Sequence, residues 1–155
     1  MAELRNVIVF AIGAARYAVE LRWVREVFTL GYITKVPQAP RTIAGVTNFR
    51  GSIMPVLDLG FVLDELGIAA AADRDGPAAT QGDGAVILEV DDLFAAARVD
   101  NVAEVATLRP GDGGRLIDSR GGPVTLLSPP EILRWALAAT QAEVEARKGR
   151  RGGST

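Results

Sequence analysis

Histidine and cysteine are both missing from the 155 residues, and their absence removes whole reaction classes. No Ser-His-Asp triad, thiolate nucleophile or ordinary zinc site can be assembled. Lysine stands only at Lys35 and Lys148, so amine-based mechanisms have few candidates. The lack of cysteine also fits a reducing compartment. A cationic surplus is lacking too: 17 Lys and Arg against 19 Asp and Glu leave a net charge of −2, with no general attraction for nucleic acid or anionic lipid. No apolar run reaches the roughly 18 residues of a membrane-spanning helix. The N-terminus, Met1-Ala2-Glu3-Leu4-Arg5-Asn6, lacks the basic-then-apolar layout of a secretion signal. The expectation is a soluble cytoplasmic protein without direct membrane insertion. No metal, cofactor or catalytic residue is expected.

Hydrophobic residues make up 48% of the chain. A domain of this length buries roughly 68–70% of its unfolded surface, enough for one ordinary core. Short apolar runs between Gly, Pro and Asp clusters give a mainly β reading. Strands are expected at 7–12, 16–21, 33–36, 44–49 and 52–58, with a helical turn or irregular strand at 23–27. Pro55 marks the last of these strands as an edge strand or a bulged one. Asp58 is placed to cap a helix over 59–66 that Gly67 stops. A low-complexity stretch, AAAADRDGPAATQGDG at 69–84, reads as a connection. Further strands are expected at 85–90, 94–99, 116–117 and 123–127. Ser128-Pro129-Pro130-Glu131 then has the form of a capping box for a helix from 132 to about 146.

The two β sets echo one another. Tyr17-Ala18-Val19, Val24-Arg25-Glu26-Val27, Arg50-Gly51 and Pro55-Val56 are followed in the same order by Phe94-Ala95-Ala96, Val102-Ala103-Glu104-Val105, Arg120-Gly121 and Pro123-Val124. Such a duplication implies two small β-barrels, each burying strands it could not bury alone. The second set is shorter, since no strand is evident between Leu108 and Leu116.

The segment VPQAPRTIAGVTNFRGSIMPVLDL, from Val36 to Leu59, carries the most information. With Val7–Ile12, Tyr17-Ala18 and Val24-x-Glu26-Val27, it resembles the CheW family of bacterial chemosensory adaptors. The family pattern P-x-A-P, G-V-x-N-L-R-G and P-V-x-D-L stands here as Pro37 to Pro40, Gly45 to Gly51 and Pro55 to Leu59, with Phe49 in place of leucine. The resemblance implies two SH3-like five-stranded lobes, the second shortened, with short helices and a C-terminal helix. A single domain spans 1–148. Lobe 1 is about 1–68 plus part of the C-terminal helix, lobe 2 about 84–130, and a disordered tail 149–155.

Arg50 in the turn and Glu26 in the V-x-E-V motif are the chief site candidates. A guanidinium fork pairs bidentately with a carboxylate and can hold two elements in fixed relation. The alternative is a solvated turn residue in an ion pair of about 0–1 kcal/mol. The resemblance ties both positions to kinase and receptor coupling. Val24, Val27, Val99 and Val102 are either core residues or the lining of an inter-lobe groove that takes an apolar helix face. For Gly45 the resemblance implies a close backbone approach to a partner, and the alternative is a turn needing positive φ. Asn48 joins the partner-binding set through its place in the motif.

The resemblance implies a non-enzymatic adaptor coupling the cytoplasmic hairpin tip of a chemoreceptor to the regulatory domain of a CheA-type histidine kinase, and self-association is compatible with it. A shortened second lobe suggests an accessory variant that binds receptor without kinase, in gliding or surface motility. A rival of another class is a small-barrel nucleic-acid-binding protein using Arg147, Lys148, Arg150 and Arg151. The acidic balance and the lack of an aromatic stacking platform oppose it.

Overall fold

The computed structural model describes residues 4–68, 82–110, 115–117 and 122–136. The remainder of the expected C-terminal helix, the tail, Arg120-Gly121 and most of the 69–84 connection lie outside the described residues. The chain runs β1 (Arg5–Ile12), β2 (Ala15–Glu20), a 3-10 turn (Leu21–Trp23), β3 (Val24–Thr29), β4 (Ile33–Thr34), β5 (Ile43–Phe49), β6 (Ser52–Asp58) and α1 (Leu59–Glu65). It continues with β7 (Gly84–Val90), β8 (Leu93–Val99), β9 (Asn101–Pro110), β10 (Arg115–Ile117) and β11 (Pro123–Leu126), and then α2, helical over 129–136.

Strand pairing divides the molecule into two lobes, and not at the 69–84 connection. In lobe 1, β1-β2-β11-β10-β9 hydrogen-bond in a closed circuit. In lobe 2, six strands pair in the order β3-β7-β8-β6-β5-β4. Its two end strands, β3 and β4, are joined by Leu30-Gly31-Tyr32 alone, so this sheet must curl until its ends nearly meet. The expected lobe boundaries of 1–68 and 84–130 are therefore corrected. Each lobe takes one hairpin from one half of the chain and its remaining strands from the other. Periodicity shows which faces are apolar but not which strand lies alongside.

The duplication persists in this exchanged form. β1-β2 corresponds to β7-β8, β3 to β9, β5 to β10 and β6 to β11, because equivalent strands pair with equivalent partners. The β3–β7 ladder skips Arg25, running from Val24↔Leu88 to Glu26↔Ile87. The β1–β9 ladder skips Ala103, running from Phe10↔Val102 to Val9↔Glu104. Both V-x-E-V motifs thus hold a β-bulge at the second residue. Both lobes also contain one parallel join, Leu126 beside Ala18 and Val56 beside Ala96. These registers equate Tyr17 with Ala95 and Ile53 with Pro123, correcting the expected echoes of Tyr17 with Phe94 and Pro55 with Pro123.

Three apolar clusters follow from side-chain alternation. Val7, Val9, Ala18, Leu108, Leu116 and Val124 fill lobe 1. Leu30, Met54, Val56, Ala85, Ile87 and Ala96 fill lobe 2. The opposite faces of the two hairpins, with Ile8, Phe10, Tyr17 and Val19 from one and Val86, Leu88, Ala97 and Val99 from the other, meet in a third cluster. Leu59, Val62 and Leu63 of α1 and Ile132, Leu133 and Ala136 of α2 belong to the same cluster. β1 and β7 are buried on both faces, which explains their unbroken apolar sequences. A cluster of this size welds the lobes together, since each large apolar side chain fully buried contributes about 1.5–3 kcal/mol.

β4 has no counterpart among the described strands of the other lobe, while the counterpart of β3 is β9, legible in sequence only as the Val102 to Val105 echo and running through 101–110. Its bulge breaks the two-residue alternation that would have marked it. Pro55 lies in an interior strand, not an edge, because β6 pairs with both β5 and β8. It is tolerated because the register with β8 begins only at Val56. The α1 cap is as expected, with the Phe61 amide donating to Asp58 Oδ1 at 3.3 Å.

Candidate functional site

The β5–β6 hairpin turns through two residues, Arg50 and Gly51, between paired Phe49 and Ser52. Arg50 has φ +50 and Gly51 φ +85, the double positive value a tight primed turn demands. Asn48 sets this turn, its Oδ1 accepting from the Gly51 amide at 3.0 Å. Asn48 thus shapes the turn from within the chain, and its side chain stays exposed.

The turn delivers Arg50 to Glu26 on β3, Nη2 donating to Oε1 at 2.9 Å. The Arg50 side chain is 73% exposed and stacks over the Phe49 ring at 4.9 Å. Phe49 in turn packs on Phe28 with ring centroids 4.8 Å apart. In so wet a place the ion pair is worth about 0–1 kcal/mol, too little for a fold-holding role. Its effect is to aim a cation.

Arg25, the bulge residue, supplies a second cation. Its Nη1 bonds Glu89 Oε2 at 3.1 Å, and its guanidinium lies 5.3 Å from the centre of the Phe94 ring. Phe94 and Met54 lie at the same level on neighbouring β8 and β6, two residues before the Ala96–Val56 match. Together Arg25, Phe49, Arg50, Ile53, Met54 and Phe94 line a recess of about 220 Å³ at the end of lobe 2. Ile53 is 67% exposed there. That volume lies below the roughly 300–1,000 Å³ typical of small-molecule sites and suits one bulky side chain of a protein partner. Sequence reasoning missed Arg25, Ile53, Glu89 and Phe94. The signal for Arg25 was its place as the odd residue of V-x-E-V, where a bulge turns a side chain outward.

The other candidates part company. Val99 is 1% exposed and belongs to the inter-lobe core; a partner cannot reach it, which corrects its place in the partner-binding set. Val24 and Val102 are partly buried against the same core. Val27 is 38% exposed and remains available. At Gly45 the close approach is internal: a Cβ there would lie 2.5 Å from the Thr34 carbonyl oxygen and 2.7 Å from Ile33 Cγ2. Among the described residues no group of His, Cys, Asp and Glu is arranged to hold a metal. None of the described helices is long and apolar enough to cross a membrane.

Residues 6–135 match the CheW-like domain family. The chain is 26% identical over 133 residues to the chemotaxis protein CheW of Treponema pallidum, covering 84% of this chain and 66% of that one. It is 44% identical over 50 residues to protein FrzA of Myxococcus xanthus, covering 32% and 31%. The similarity to the CheW protein of Klebsiella aerogenes, 31% over 62 residues, spans 37% of that protein. In three dimensions the chain superposes on the scaffolding protein TtCheW of Thermoanaerobacter tengcongensis with a TM-score of 0.63, 23% identity and coverage of 81% and 90%. The sequence match over most of the chain, and two lobes with the same fold as a solved CheW, make this chain a member of the CheW-like domain family.

Proposed function

We propose that this protein is a non-enzymatic adaptor coupling the cytoplasmic hairpin tip of a chemoreceptor to the regulatory domain of a CheA-type histidine kinase, and that it acts in the cytoplasm. The observation that carries the reading is the recess at the end of lobe 2, where exposed Ile53 and the Phe94 ring lie between two arginines each held by a carboxylate. Interface anchors have this composition: aromatic and aliphatic floor, arginine at the side, carboxylates that fix it. Glu26 and Arg50 are the centre of the docking face, and Val27 is exposed on the other face of β3. Val24 is partly buried against the core next to Arg25, and Val102 lies apart from the face, near Gly84 at the other end of β7. Signal passes by population shift, because an adaptor that holds receptor and kinase together lets a receptor change bias the kinase equilibrium.

Titrating the protein separately with a receptor tip fragment and with the kinase regulatory domain tests the reading. Binding to both is expected, with Arg50→Glu weakening at least one by tenfold or more. Binding to neither, or affinities untouched by Arg50→Glu, would refute it. Binding to receptor alone would establish the accessory role instead.

A further inference from the structure

Neither half of the chain can finish its own lobe. The β1-β2 hairpin from the first half finds its flanking strands, β9 and β11, in the second. The β7-β8 hairpin from the second half is flanked by β3 and β6 from the first. Four ladders and the inter-lobe core therefore join two halves whose one covalent link is residues 66–83. In strand pairing the chain is a closed dimer of two repeats that happen to share a backbone.

From this topology we infer that two copies of the chain can exchange halves reciprocally, residues 5–65 of one closing both lobes with residues 84–136 of the other. Every ladder of the monomer recurs in the exchanged pair, so the exchange sacrifices no ladder hydrogen bond and leaves the three described apolar clusters covered. This is the low-cost route to a dimer by swapping identical elements. The partner is a second copy of this chain because only it offers the same registers, including the two bulges at Arg25 and Ala103. The consequence, which rests on the proposed adaptor role, is bivalency. The recess takes Arg25, Arg50 and Ile53 from the first half and Phe94 from the second, so each face in the exchanged pair is built from two chains, and two such faces travel together.

The absence of cysteine makes a direct test available. Thr29 stands opposite Gly84 on β3 and β7. The next residues, Leu30 and Asp83, share a backbone hydrogen bond of 2.8 Å, which makes Thr29–Gly84 a non-hydrogen-bonded pair with Cα atoms about 4.5 Å apart, within disulfide range. A Cβ at Gly84 would meet nothing closer than 3.9 Å. One full-length chain carries Thr29→Cys and another Gly84→Cys. They are unfolded together, refolded near 1 mM, the order of a tethered effective concentration, and then oxidised. The double variant Thr29→Cys/Gly84→Cys, which should close an intramolecular bond, controls for fold and geometry.

A disulfide-linked heterodimer is expected, with its yield falling at least tenfold when refolding is done at one-hundredth of that concentration. Each single variant refolded alone should give at least tenfold less linked dimer than the mixture. If the double variant closes its bond while the mixed single variants stay unlinked and monomeric by light scattering, exchange does not occur. If the double variant fails to close, the β3–β7 register itself is wrong and the inference falls with it. Neither readout involves receptor or kinase, so the adaptor reading stands or falls separately.

Discussion

Replacing Arg50 by glycine should remove docking while leaving the fold as stable as before. The side chain is 73% exposed, and its ion pair with Glu26 contributes about 0–1 kcal/mol. Against that stands the backbone. With φ at +50, Arg50 occupies the left-handed region at a cost of roughly 1–2 kcal/mol that glycine does not bear. Glycine also gives some of this back through the greater freedom of the unfolded chain, about 0.4–1 kcal/mol. The terms nearly cancel, and the midpoint of thermal unfolding should fall by no more than about 4 °C and rise by no more than about 6 °C, given about 2–4 °C per kcal/mol for a chain of this size. Circular dichroism melts would measure the shift, and calorimetric titration with the kinase regulatory domain and receptor fragment would measure binding. A drop beyond about 6 °C would show that Arg50 holds the fold together, contrary to the geometry. An undiminished affinity would show that the strained arginine has no docking role.

Gly45→Ala should destabilise by about 1–3 kcal/mol as an overpacked site, because its Cβ would collide with the Thr34 backbone oxygen; Gly84→Ala, whose Cβ would make only ordinary contacts at 3.9–4.0 Å with Val99 and Val102, should fall within about 1 kcal/mol of the parent in urea denaturation. Phe94→Ser should weaken kinase-domain binding by tenfold or more, with unfolding shifted far less than by Phe10→Ala, where loss of a ring 1% exposed costs about 3–5 kcal/mol. Asp58→Ala should cost about 0.5–2 kcal/mol through the α1 cap, and intact stability would mean that the Phe61 amide has found water instead.

Much of the molecule was legible because it is local. The apolar runs of β1 and β7, the cap at Asp58 and the tight turn at Arg50-Gly51 are each fixed by neighbours in sequence. The Glu26–Arg50 pair was legible for a different reason: the family resemblance marked both positions, a long-range relation that periodicity cannot supply. The exchanged hairpins were hidden, since β2 would look the same whether its neighbour were β11 or a strand nearer in the chain. β9 was lost to its bulge at Ala103, and Pro55 was misread because a ladder that starts one residue later spares it. The recess was invisible in the same way. Phe94 and Ile53 lie on strands from different halves, brought side by side only by the parallel β6–β8 join.

That join and its counterpart between β2 and β11 bear on how the chain comes off the ribosome. Asn6 and Thr107 touch across 101 positions of sequence, and β2 waits for β11, which emerges still later. Folding that depends on such distant contacts is intrinsically slow, and synthesis delivers only about 5–20 residues per second. The first hairpin, with apolar residues on both faces, must therefore spend seconds uncovered before its partners exist. Nascent chains of this protein should be strong clients of ribosome-bound chaperones until almost the last strand is made.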